Sequence, residues 1–87
     1  MKIKDGFVLR DVAGSTVVVP LGVDHTFQSM LKLNATGKLL WEKLTVGTTE
    51  ETLVALLVSE YEIDGDTAQR DVRAFLDSLR HRGILEE

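Results

Sequence analysis

Hydrophobic and polar positions change period about a third of the way along the chain. Residues 7–12 (FVLRDV) and 16–20 (TVVVP) are rich in β-branched and aromatic side chains, and Ala13, Gly14 and Ser15 lie between them. Such runs favour strands, and the glycine suits a tight connection, so the pattern predicts an antiparallel hairpin. The following PLGVDHT holds the only proline together with Gly22 and Asp24, which stops the second strand and predicts a loop. FQSMLKL at 27–33 then alternates. Phe27, Ser29, Leu31 and Leu33 fall on one side and Gln28, Met30 and Lys32 on the other. The first set is the more apolar and is expected to face the core.

From Asn34 onward the period becomes helical. Asn34 is a good N-cap, and Leu39, Leu40, Trp41 and Leu44 form the apolar face of a helix of about ten residues ending near Gly47. Thr48 followed by Glu51 reads as a capping box opening a second helix. Its buried stripe is expected to hold Leu53, Leu56, Leu57 and Tyr61, with Val54 and Val58 beside it, before Asp64-Gly65 breaks the run. Asp66 with Gln69 supplies a third start signal, and Ala68, Val72, Phe75 and Leu79 recur on one face of a long helix. That helix should end at Gly83, after a basic run that suits a helix C-terminus, with Ile84 and Leu85 folding back onto the core. Three strands followed by three helices predict one α+β domain over residues 1–87, winged-helix-like, with a three-stranded antiparallel sheet packed on a three-helix unit.

Composition narrows the function classes. A chain of 87 residues buries only about 60–65% of the surface its unfolded form exposes, which leaves little room for a large catalytic cavity. Without cysteine there is no disulfide framework and no thiolate metal site. No apolar run approaches the roughly 20 residues of a membrane span, and Asp5 interrupts any signal-like start, so the expectation is a soluble, cytoplasmic protein with no membrane partner. Ten basic and fourteen acidic residues give a net charge of −4, which argues against nucleic acid as a partner.

Catalytic and metal-binding patterns fail on spacing. His25 and His81 have no second histidine at i+3 or i+4, and the acids Glu62, Asp64 and Asp66 around Gly65 lack the alternation of a calcium loop. Thr36-Gly37-Lys38 is not the end of a phosphate loop, because Lys32 stands where its first glycine belongs and Leu39 follows the lysine. No enzymatic activity, metal or cofactor is expected.

LNATGKLLWEKL at 33–44, TTEETLVALLVSEYEID at 48–64 and DVRAFLDSLRHRGIL at 71–85 together resemble the PqqD-like family, and VLRDVAGSTVVVPLG extends the resemblance through the strands. The junction Leu33-Asn34, Gly37, Trp41 and the final DVxxFLxxLxxxGIL carry it by their joint spacing. The resemblance implies a non-catalytic module that recognises ribosomally made, post-translationally modified peptides. Such a module binds the leader of a precursor peptide and presents it to a modifying enzyme, often a radical S-adenosylmethionine enzyme. It further implies that the peptide adds to the edge of the third strand, beside the third helix.

Strand addition needs an edge with unpaired backbone groups and neighbouring side chains that select. Gln28, Met30 and Lys32 are the candidates on the third strand. On the third helix a stripe of Gln69, Arg73, Leu76 and Arg80 offers an apolar contact between two guanidinium groups, suited to an acidic, amphipathic peptide. A free edge also permits dimerisation. The competing reading is a winged-helix DNA-binding protein or transcriptional regulator, sustained by Arg70, Arg73, Arg80 and Arg82 but opposed by Asp66, Asp71 and Asp77 on the same helix.

Overall fold

The computed structural model describes residues 1–21 and 31–87. The expected hairpin is there: β2 (Phe7–Val12) pairs antiparallel with β3 (Ser15–Pro20), after a two-residue first strand, β1 (Lys2–Ile3). Val12 opposes Ser15, so only Ala13 and Gly14 form the turn, and both have positive φ, +51° and +83°. Two left-handed residues in succession make the type I′ turn whose twist matches the strands it joins. Strand β4 (Leu31–Leu33) pairs antiparallel with β3, giving the order β2-β3-β4. Leu31 and Leu33 turn inward and Lys32 outward, as the alternation predicts; Gln28, Met30 and the rest of the predicted strand before Leu31 lie outside the described residues.

Helix α1 (Ala35–Val46) starts at Asn34, whose side-chain oxygen accepts the Gly37 N–H at 2.8 Å. Helix α2 (Glu50–Tyr61) starts one residue later than the capping-box reading, with Thr49 as its cap. The reason lies at Thr48. Its N–H donates to the Met1 carbonyl at 2.9 Å and its carbonyl accepts from the terminal ammonium, so Thr48 is tied to the N-terminus, and the extended Thr49 supplies the first helical carbonyl, to Leu53. Helix α3 (Gly65–His81) starts at Asp64 rather than Asp66, because the Asp64 carboxylate accepts the Thr67 N–H at 2.7 Å. It stops before Gly83, whose φ of +71° lets the Ile84 N–H return to the Leu79 carbonyl. Ile84 is fully buried, and β5 (Leu85–Glu86) closes a second, two-stranded sheet with β1.

One core joins these pieces. Leu40, Trp41 and Leu44 of α1 meet Leu53 and Leu57 of α2 and Ala68, Val72, Leu76 and Leu79 of α3, with Val18 and Leu33 from the sheet and Ile3 and Leu85 from the short one. Tyr61 departs from expectation: at the last turn of α2 it is 43% exposed rather than part of the buried stripe. Among the described residues no helix is long and apolar enough to cross a membrane.

Candidate peptide-binding site

Strand β4 has β3 on one side and no strand on the other among the described residues. Its outer row of backbone groups therefore has no ladder partner there, the condition that strand addition requires. Two concavities flank the point where β4 runs into α1, and both are lined by Asn34. One, about 440 Å³, lies between the start of α1 and α3, with Thr36, Gly37 and Leu40 on one wall and Asp71, Ala74 and Phe75 on the other. The second, about 630 Å³, opens toward the hairpin turn and brings Lys32 and Lys38 to its rim.

Small residues create the first cleft. Gly37 is buried at the start of α1, and a Cβ there would stand 3.3 Å from the Phe75 ring and 3.3 Å from Asn34 Oδ1. Either contact is tighter than ordinary packing, so glycine lets α1 and α3 approach and leaves the half-buried Phe75 ring beside the cleft. The exposed Ala74 withholds bulk from the α3 wall. The charges differ between the two concavities, with Asp71 on the α3 wall of the first and Lys32 and Lys38 at the rim of the second.

The stripe expected on α3 stands elsewhere. Successive residues turn by about 100°, so Arg73 and Phe75 sit on nearly opposite flanks of the helix. Phe75 faces α1 at Gly37, whereas Arg73 meets the first turn of α2, with Nε 3.4 Å from Glu50. Gln69 and Arg73 are both exposed on that second flank. Arg80 is engaged within the chain, bonding Asp77 at 3.0 Å and Glu87 at 2.8 Å, and the Glu87 carboxylate raises its already high pKa. Leu76 is corrected outright: it is fully buried among Leu53, Val72 and Leu79 in the core and presents nothing to a peptide. Lys32 is exposed on β4, beside the free edge. Asp71, Ala74 and Phe75 were not among the sequence candidates. Their only signal was the pairing of small Gly37 and Ala74 with a nearby aromatic, which acquires meaning once α1 is seen against α3.

Fold and site together define a small winged-helix-like α+β domain whose third sheet strand, β4, has one edge open among the described residues. Residues 8–85 match the family described as Coenzyme PQQ synthesis protein D (PqqD), and the chain belongs to that family. No curated protein sequence matches it. Among solved structures it is similar to TbiB1 in complex with the TbiA(beta) leader peptide, at 31% identity and a TM-score of 0.78 over 99% of this chain and 95% of that one. It also shares its fold with a lasso peptide synthetase B1 complexed with the leader peptide, at 23% identity and a TM-score of 0.75 over 99% and 96%.

Proposed function

We propose that this chain is a leader-peptide recognition module: it binds an extended segment of a ribosomally made precursor peptide along β4 and holds it for a modifying enzyme such as a radical S-adenosylmethionine enzyme. The observation that carries this reading is the outer edge of β4, unpaired among the described residues, at the junction with α1 where a cleft opens toward α3. Membership of the PqqD family and similarity to a leader-peptide complex support it. The module contributes position and selectivity, and the chemistry belongs to the enzyme.

The physical division of labour is simple. Backbone hydrogen bonds to β4 supply affinity with little sequence preference, while pockets for alternate side chains supply selection. Lys32 and Lys38 at one rim favour an acidic side chain at that end of the peptide, and the cleft between Gly37, Leu40, Ala74 and Phe75 favours an apolar one. Gln28 and Met30, adjoining β4 in the sequence, extend the proposed contact, and Gln69, Arg73 and Arg80 stand as outlying candidates on the far flank of α3. DNA binding is not favoured, because Asp66, Asp71 and Asp77 oppose phosphates along the only helix rich in arginine.

The test is a titration of a precursor leader, sought among the genes neighbouring the one for this chain, into isotope-labelled protein. Amide shifts at Leu31, Lys32 and Leu33 together with Asp71 to Ser78 are expected. Shifts confined to Gln69, Arg73 and Arg80 would move the site to the other flank of α3, and an absence of shifts with this leader would overturn the reading.

A further inference from the structure

Two of the exposed large apolar side chains, Val58 and Tyr61, lie on one flank of α2, while Val12, Leu21 and Val46 stand apart from it. Glu50, Val54, Val58 and Tyr61 recur at i, i+4, i+8 and i+11 and so lie along a single stripe. Val58 is 37% exposed and Tyr61 43%, while Val54 and the following Ile63 are half-buried and pack against the core. The Glu50–Arg73 pair fixes where this stripe lies, beside the flank of α3 turned away from Phe75 and the β4 cleft.

The charge around the stripe is one-sided. Residues 44–69 hold six acidic residues, Glu50, Glu51, Glu60, Glu62, Asp64 and Asp66, and no lysine or arginine. The remainder of the chain carries ten basic and eight acidic residues, so this segment accounts for the negative charge of the whole molecule. Of its cationic neighbours on α3, Arg73 already faces Glu50 and Arg70 lies close enough to Asp64 to favour its charged form, at the far end from Glu51. Pairing two copies through this face would set like charges against each other, which disfavours a second copy as the occupant.

We propose that this flank of α2 is a second docking surface, for a protein whose contact area is apolar at its centre and rimmed by Lys and Arg, and that this protein is the enzyme that modifies the carried peptide. The identity of that enzyme rests on the leader-binding function proposed above; the surface itself does not. Tyr61 is the central contact, since a ring with a polar tip buries large area at low entropic cost. Val54 and Val58 extend the apolar strip, and Glu51 and Glu62 steer the approach. With the leader on β4 and the enzyme on α2, both are held at once on opposite flanks of α3.

The experiment titrates a purified peptide-modifying enzyme, sought among the genes neighbouring the one for this chain, into the labelled protein already loaded with leader. The expected result is amide shifts over Val54 to Glu62 and an affinity that weakens as salt rises. Tyr61→Lys should reduce enzyme affinity by about tenfold or more while leaving leader affinity unchanged. Tyr61→Phe should retain binding, and Glu51→Lys, at an exposed site, should slow association. An enzyme that does not bind, that shifts only residues of the β4 cleft, or that binds Tyr61→Lys and Glu51→Lys as tightly as the parent overturns the proposal. Failure of the leader alone to shift Leu31 to Leu33 strikes instead at the leader-binding function and is read in the first half of the same titration.

Discussion

Leu76 and Arg73 are three residues apart on α3 and have opposite fates. Leu76 has no exposed surface, so Leu76→Ala leaves a cavity in the shared core and should cost about 2–5 kcal/mol, measured as a lower urea midpoint. Arg73 is more than half exposed and holds one exposed ion pair, so Arg73→Ala should cost about 0.5 kcal/mol or less. The two variants separate stability from recognition. Leader affinity of the folded fraction should be unchanged in both, because Leu76 lies beneath the surface and Arg73 faces α2. A large loss of leader affinity in a folded Arg73→Ala protein would restore the arginine stripe as a peptide contact. Sequence spacing puts both residues near one edge of the helix. What it lacked was which neighbour lies across each edge, and the Gly37–Phe75 approach settles that for the flank facing α1.

At the scale of elements, the helix starts are held by side-chain caps with distinct responses to pH. The Asp64 carboxylate accepts hydrogen bonds from the Thr67 backbone and hydroxyl, which holds its pKa below the ordinary 3.8. A carboxyl depressed on folding contributes stability that is present above its unfolded pKa and lost as pH falls through the folded one. The Glu87 carboxylate, depressed below 4.5 by Arg80, acts in the same direction. Stability should therefore decline as pH falls from about 5 toward 3, measured by urea unfolding at each pH, and Asp64→Asn should flatten that decline while retaining a capping oxygen. An equally steep decline in Asp64→Asn would remove the cap from the account. The major elements were legible because their periods are long and their punctuation explicit: Asn34 before α1, Ala13-Gly14 between β2 and β3, and Gly83 after α3. β1 and β5 were not, since two residues cannot display an alternation, and their pairing joins the two ends of the sequence. The caps at Thr49 and Asp64 were displaced by one and two residues because each start signal had a rival nearby, and tertiary contact with Met1 decided the first.

Across the whole molecule, one core links the strand edge to every helix, so an event at β4 is read throughout the domain. Leu33 of β4 and Leu40, Leu53, Val72 and Leu85 belong to the same buried cluster, and Trp41, the only tryptophan, sits within it at 2% exposure. Its fluorescence should report global unfolding, coincident with loss of helical circular dichroism, as a single cooperative transition. A leader that binds the folded chain alone stabilises it by mass action, about 2.7 kcal/mol at a hundred times its dissociation constant. For a domain of this size each kcal/mol raises the melting temperature by about 4–8 °C, so saturating leader should raise the Trp41 transition by roughly 10–20 °C. The same leader with prolines at alternate positions should lose most of that shift, because proline has no N–H to donate to β4. A proline-bearing leader that stabilises the chain fully would mean that side chains alone hold the peptide, and that the unpaired edge of β4 is not where its backbone lies.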